Sequence, residues 1–166
     1  MYVSAIMDSP VGPLTLIASD TGLRAVLWPM ERPGRVDVPD DVERRPDHPV
    51  LVAAAAQLRD YFDGRRTRFD LPLDLHGTDF QKKAWRALAE IPYGETVSYA
   101  EQAARLGDAN KARAVGAANG RNPLSIVLPC HRVVGADGSL TGFAGGLDAK
   151  RFLLLHEADT ARMLRC

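Results

Sequence analysis

Cys130 and His131 are adjacent in the string Pro129-Cys130-His131-Arg132-Val133-Val134, directly after the apolar run Ser125-Ile126-Val127-Leu128. A thiol beside an imidazole suits a cysteine nucleophile. The thiolate is the attacking species, and a thiol with a pKa of about 8.5 is only a few per cent ionised near pH 7, so a neighbouring base raises its reactivity. The apolar run reads as a buried strand that feeds the pair. In an extended segment consecutive side chains face opposite ways, so a Cys130 to His131 hydrogen bond needs a turn at Pro129 or a bridging water. The same cysteine also fits a small buried hydrophobe without chemistry.

A third group comes from the C-terminal end. Asp148 to Ala158 reads as a helix carrying Phe152, Leu153, Leu154 and Leu155, and Glu157 follows Leu154 and Leu153 at helical spacing, on their face. A carboxylate among leucines needs a partner, because an unpaired buried charge is expensive. Glu157 orienting and charging His131, which in turn deprotonates Cys130, would form a nucleophile, base and orienter triad. The alternative leaves Glu157 in water at the edge of the stripe.

The elements that must position these residues fall into two parts, 1–77 and 78–166. In the first, Tyr2 to Ile6, Leu14 to Ala18 and Leu23 to Trp28 are short apolar runs separated by Ser9-Pro10-Val11-Gly12-Pro13 and Asp20-Thr21-Gly22, which predicts a small antiparallel meander. Glu31 to Pro49, rich in proline and charge, reads as a surface loop. Leu51, Ala54, Ala55, Leu58, Tyr61 and Phe62 recur at helical spacing, with Gly64 placed to cap the helix they form, and Arg65 to Gly77 reads as an extended connector.

The second part reads as mainly helical. Thr78 with Gln81 and Ser98 with Glu101 have capping-box spacing. They predict one helix whose face is Phe80, Ala84, Leu88 and Ile91, stopped by Pro92-Tyr93-Gly94, and a second from Tyr99 to Leu106 ended by Gly107. A third spans roughly Asn110 to Asn119. The last two, joined by a glycine-containing turn, fit a helix-turn-helix, though spacing alone favours an ordinary helical hairpin. The fold class is therefore α/β (α+β), with an N-terminal antiparallel sheet and helix followed by a helical region bearing the Pro-Cys-His-Arg segment.

The chain has 166 residues, with 21 Lys plus Arg and 21 Asp plus Glu, and its 46% hydrophobic content suffices for a core. The zero net charge is a cancellation: residues 1–78 hold 9 basic and 12 acidic side chains, and residues 79–166 hold 12 and 9. Between Ala109 and Ala136 lie Lys111, Arg113, Arg121 and Arg132 and no acidic residue, a stretch that could accommodate phosphates or be a mildly basic solvated face. No apolar run approaches the ~20 residues of a membrane span, and the first residues lack the pattern of a signal peptide, which predicts a cytoplasmic protein without a membrane partner. Two cysteines, Cys130 and Cys166, make no disulfide framework, and no metal-ligand spacing occurs among the four histidines, so neither metal nor cofactor is expected.

Several strings together resemble a known family. They are Ile91-Pro92-Tyr93-Gly94-Glu95-Thr96-Val97-Ser98-Tyr99, Ala112-Arg113-Ala114-Val115-Gly116, Asn122-Pro123, Pro129-Cys130-His131-Arg132-Val133, Gly145-Gly146-Leu147 and Leu155-His156-Glu157. Their residues and spacing resemble the O6-alkylguanine-DNA alkyltransferases, also called methylated-DNA-protein-cysteine methyltransferases. The resemblance runs from about Thr78 to Ala158, and the first half fits the family's smaller N-terminal domain in size and outline.

The resemblance implies a DNA repair protein. Cys130 would take the alkyl group from O6 of a damaged guanine, mainly O6-methylguanine, in one irreversible and stoichiometric step. His131 would act as base through a water, held by Glu157. Asn122 would fix the turn between recognition helix and active-site segment. Tyr99 would crowd the target's phosphate and donate to the leaving guanine, and Arg113 would fill the stack left by the flipped base. The carbonyls of Cys130 and Val133 would bind the guanine's exocyclic amine; Lys111 and Arg121, from the acid-free stretch and not from the resemblance, are expected to contact DNA.

Attack on the O-alkyl carbon needs the base turned out of the duplex, at a cost of a few kcal/mol of stacking. The small residues Ala112, Ala114, Gly116, Ala117 and Ala118 around Arg113 would let a helix approach the minor groove closely. Ala144 stands before Gly145-Gly146 where many relatives have serine, which implies that only backbone amide donates near O6. Phe143 occupies a position often held by tyrosine, and Ser125 one where some relatives carry proline. The partner implied is double-stranded alkylated DNA, bound by a solution monomer, with cooperative binding of several copies on DNA as a further possibility. A small basic footprint implies modest affinity and a shallow salt slope. Two other classes compete: a lesion-binding module without catalysis, against which Cys130 stands, and a cysteine hydrolase using Cys130 and His131, which would turn over and need no basic stretch.

Overall fold

The structure is a computed structural model and describes residues 1–164; Cys166, singled out above as a second thiol, lies outside the described residues. The chain divides into two compact units, Met1–His76 with Pro123–Val127, and Gly77–Asn122 with Leu128 onward.

In the first unit β1 (Tyr2–Met7), β2 (Leu14–Ser19) and β3 (Gly22–Leu27) form the expected antiparallel meander. The sheet order is β3-β2-β1-β4, and β4 (Val42–Arg44) pairs parallel to β1. This strand lies inside the segment expected to be a loop, because three residues are too few to reveal alternation among prolines and charges. The connector also pairs: Leu23 N donates to Pro72 O at 2.8 Å, and Asp74 N to Leu23 O at 2.8 Å. A Cβ on Gly22 would lie 2.7 Å from the Pro72 carbonyl, so only glycine permits that approach.

Helix α1 (Pro49–Phe62) buries Leu51, Ala54, Leu58 and Tyr61, and its N-cap is His48, whose Nδ1 accepts from Val50 N. Gly64, at φ 76°, ends it in a Schellman motif: Gly64 N donates to Tyr61 O and Arg65 N to Asp60 O.

Ser125 to Leu128 is buried as expected but is not a strand. Leu124 bridges Val26, Val26 N donates to Pro123 O at 2.8 Å, and Trp28 Nε1 donates to Ser125 Oγ at 3.0 Å. The segment then turns through Ile126, which holds φ 75°. A β-branched side chain in the left-handed region costs about 1–3 kcal/mol, and such strain does not register in apolar patterning.

The second unit contains α2 (Asp79–Leu88), α3 (Tyr99–Arg105), α4 (Ala112–Gly120) and α5 (Leu147–Leu164), with a two-residue parallel pairing of β5 (Val97–Ser98) and β6 (Val133–Val134). Both predicted capping boxes are formed. Helix α2 ends before Ile91, which is nonetheless buried. The third expected helix is divided into a 3-10 turn, Ala109–Lys111, and α4.

Buried polar groups lock these helices together. Trp85 Nε1 donates to Ala118 O at 2.7 Å. Gln102 and Asn119 exchange amide hydrogen bonds of 3.2 and 2.8 Å between α3 and α4. With every partner internal, this network fixes one mutual arrangement of the two helices.

Candidate active site

Cys130 opens a 3-10 turn, Cys130–Arg132, and all three residues are buried. The segment is not extended, because the chain makes the turn at Pro129 that the sequence left open. Pro129 sits at φ −80°, ψ 69°, and Cys130 N donates to Leu128 O at 2.8 Å, an inverse γ-turn. Arg132 N then bonds Pro129 O at 3.0 Å, and Val133 N caps the turn on Cys130 O. Proline presets the φ that starts this reversal. Asn122, fully buried, donates Nδ2 to Leu128 O at 2.8 Å and ties the residue after α4 to the one before the turn. Val133 leaves the turn into β6, paired with Val97.

Glu157 is brought to His131. Helix α5 buries Lys150, Leu153 and Glu157, spaced by three and four residues, whereas Phe152 and Leu155 are exposed; the buried face is narrower than the leucine stripe suggested. His131 Nε2 lies 2.5 Å from Glu157 Oε2. Gly94 N adds a hydrogen bond to Glu157 Oε1 at 3.2 Å.

Arg132 is the group that sequence reasoning misplaced. The charge pattern places it in a stretch that accommodates phosphates or forms a solvated face, but it is buried and donates Nε to Glu157 Oε1 at 2.8 Å, Nη2 to Glu157 Oε2 at 3.1 Å and Nη1 to Ile91 O at 2.7 Å. The signal was available: Arg132 is followed by Val133 and Val134, a poor setting for a solvated cation.

Burial alone would raise the Glu157 pKa, but the hydrogen bonds and positive charges of His131 and Arg132 outweigh it and hold the carboxyl well below the usual range. An ionised carboxylate only accepts, so Nε2 of His131 carries the hydrogen and Nδ1 of the neutral ring is a lone pair. Nδ1 is buried without a hydrogen-bond partner among the described residues. For His131 burial dominates and pulls the pKa below its ordinary value; the hydrogen bond and charge of Glu157 pull upward, and the charges of Arg132 and Lys150 pull down again.

Lys150 was also unforeseen, although it shares one helical face with Glu157. Its Nζ donates to Thr141 O at 3.2 Å and lies 6.0 Å from the Tyr99 ring and 5.9 Å from the Phe143 ring. Burial pulls its pKa down, and the charge of Cys130 pulls it back. Tyr99, half-buried at the start of α3, shares a 2.7 Å hydrogen bond between its hydroxyl and Thr141 Oγ1. Ala144 and Gly145 follow Phe143 in the half-buried approach to α5.

The other predicted residues lie on exposed ground. Arg113 is the second residue of α4, Lys111 precedes that helix with its ammonium 5.6 Å from the Phe80 ring, and Arg121 follows it; all three are exposed. Among the described residues no group of three or more His, Cys, Asp or Glu is placed to hold a metal ion, and no helix is long and apolar enough to cross a membrane.

Comparison with known proteins bears on this arrangement. Residues 2–75 match the 6-O-methylguanine DNA methyltransferase ribonuclease-like domain, and residues 79–159 match the DNA binding domain of the same family. A methylated-DNA-protein-cysteine methyltransferase of Methanosarcina barkeri is 47% identical over 158 residues, which cover 95% of this chain and 98% of that protein. This chain belongs to the 6-O-methylguanine DNA methyltransferase family. A family member from Mycobacterium bovis is 48% identical over 155 residues, 93% of this chain and 92% of the other. The crystal structure of Mycobacterium tuberculosis OGT in complex with DNA superposes with a TM-score of 0.86 at 45% identity, covering 96% of this chain and 93% of that one.

Proposed function

We propose that the protein repairs DNA by removing an alkyl group, mainly methyl, from O6 of guanine in the duplex and retaining it irreversibly on Cys130. The observation that carries this reading is the chain of contacts at the 3-10 turn: a buried thiol, an adjacent imidazole whose Nε2 is engaged by Glu157, and a buried Nδ1 left as a lone pair.

The thiol proton passes through a water to His131 Nδ1. Sulfur attacks the methyl carbon in line, the carbon to O6 bond breaks, and its electron pair leaves with the guanine. Tyr99 supplies the proton that the leaving guanine takes up. Val133 and Cys130 present carbonyls to the exocyclic amine, and the backbone at Ala144 and Gly145 donates toward O6. Asn122 keeps the turn in place after the chain leaves α4. No step regenerates the thiol, so each molecule acts once.

Residues 78–166 form the DNA-binding and alkyl-acceptor domain in this reading, and residues 1–77 the companion domain. Arg113, near the start of α4, enters the stack where the base stood; Lys111 and Arg121 contact phosphates. With Arg132 withdrawn into the ion pair, Lys111, Arg113 and Arg121 remain as the exposed cations of the acid-free stretch, which favours a shallow salt slope. The protein works in the cytoplasm as a solution monomer, with several copies able to bind side by side on DNA.

Intact mass after incubation with duplex DNA containing O6-methylguanine tests the reading. One methyl on Cys130, saturating at one equivalent, is expected; multiple turnover or an unmodified protein overturns it. Arg113→Ala should slow repair of duplex DNA more than transfer from the free base, and an equal loss on both removes Arg113 from base flipping.

A further inference from the structure

Glu157 accepts from His131 and from Arg132 as well as from Gly94 N. A carboxylate hydrogen-bonded to a buried histidine ordinarily stabilises the imidazolium, as in a hydrolase triad. Here a guanidinium forks onto the same carboxylate through Nε and Nη2, one bond to each oxygen, while Nη1 is fixed to Ile91 O and the guanidinium carbon lies 5.5 Å from the Tyr93 ring. Such a fork is geometrically specific and charge-assisted.

We propose that Arg132 is a positioning residue which neutralises Glu157, so that the carboxylate orients the His131 ring without charging it and His131 remains an unprotonated base. The inference rests on the alkyl-transfer reading above and deepens it. The charged and titratable groups facing His131 are Glu157 and Lys150 from α5 and Cys130 and Arg132 from its own turn; the Tyr93 phenol adjoins the ion pair. Glu157 and Arg132 cancel as a pair, and Lys150 adds a positive charge that further disfavours imidazolium. Burial is the largest cause of the downward shift of His131, and the charges of Arg132 and Lys150 add to it. A base that must accept one thiol proton, once, is best found deprotonated when the damaged base arrives. The expectation that Glu157 both orients and charges His131 is thereby halved: it orients.

The test follows the His131 ring by NMR in the full chain with labelled histidine, assigned with a His131→Asn variant, beside the pH profile of single-turnover methyl transfer. Arg132→Gln is expected to raise the His131 midpoint by about one to two pH units. Transfer measured below both midpoints then falls about tenfold or more and recovers in alkali. Arg132→Lys, which keeps the charge, is expected to hold the midpoint within about half a unit of the unsubstituted protein. An unmoved midpoint in Arg132→Gln, or an equal loss of transfer in both variants at every pH, overturns the proposal.

Should Arg132→Gln not fold, the double variant Arg132→Gln/Glu157→Gln removes both charges and decides the matter. A His131 midpoint within about half a unit of the original supports cancellation; a fall of more than about one unit means that the carboxylate prevails and overturns it. The titration needs no DNA. Failure of the alkyl-transfer reading, seen as no methyl on Cys130 of the unsubstituted protein, is therefore read separately.

Discussion

The two units differ in what they bury. Among the described residues the first unit encloses Arg24, Arg35 and Ser125 as polar side chains, while the second encloses Gln102, Asn119, Asn122, His131, Arg132, Lys150 and Glu157. In the first unit Arg24 Nη2 donates to Asp37 O at 2.6 Å, and Arg35 pairs with Glu31, which also accepts from Trp28 N, while Trp28 Nε1 donates to Ser125 Oγ. In the second, Gln102 and Asn119 tie two helices through their amides, and His131, Arg132 and Glu157 form a connected ionic network at one turn. The second carries desolvation costs that folding does not require, which is what a reacting centre with fixed geometry imposes.

Removing a network member should therefore harm the second unit more than the first. The largest effect is expected from Glu157→Ala, which strands the Arg132 charge in the interior and should cost about 3–5 kcal/mol in denaturant unfolding and abolish transfer. A cost below that of an ordinary surface substitution would show that the network is not under strain of desolvation. Asn119→Ala leaves Gln102 without its reciprocal amide and should cost about 1–3 kcal/mol. Its effect on transfer should follow from the loosened pairing of α3 and α4, and unchanged stability would remove that network from the account.

Acid should act in the same direction. The folded pKa of Glu157 is lowered, so its contribution is present above the unfolded carboxylate value and is lost as pH falls toward the folded one. The folded pKa of His131 is lowered too, so below about 6.5 the unfolded chain takes up a proton that the folded chain refuses. Both linkages predict declining stability from mildly acidic pH downward, read as a falling unfolding midpoint; a flat profile would contradict both assignments. Transfer should also decline in acid, with its inflection below the ordinary histidine range. The smallest effect is expected in the first unit: Ser19→Ala removes a 2.7 Å hydrogen bond to Asp74 Oδ2 and should cost about 0.5–1.5 kcal/mol in thermal melts without altering transfer.

Legibility in the sequence followed the same division. The meander, α1 and both capping boxes were readable because alternation, helical spacing and cap residues are local signals. The pairing of His131 with Glu157 could be suspected because Glu157 lay where an apolar face demanded a partner. Arg132 could not be told from a surface cation by charge counting, since the count is blind to burial. The left-handed Ile126 and the γ-turn at Pro129 arise from packing that acts over many residues, so apolar patterning suggested a strand where the chain turns. Lys150 shares the buried face with Leu153 and Glu157, but a lone cation beside leucines carries no local signal of burial.

The chain passes between the units at residues 76–77, 122–123 and 127–128. A protease cut or a genetic breakpoint at the first of these does not yield two self-sufficient halves. The released C-terminal piece would carry away Leu124 and Ile126, whose buried places are in the first unit, and would leave Val26 N and Trp28 Nε1 without Pro123 O and Ser125 Oγ. The halves are thus poor cassettes for recombination.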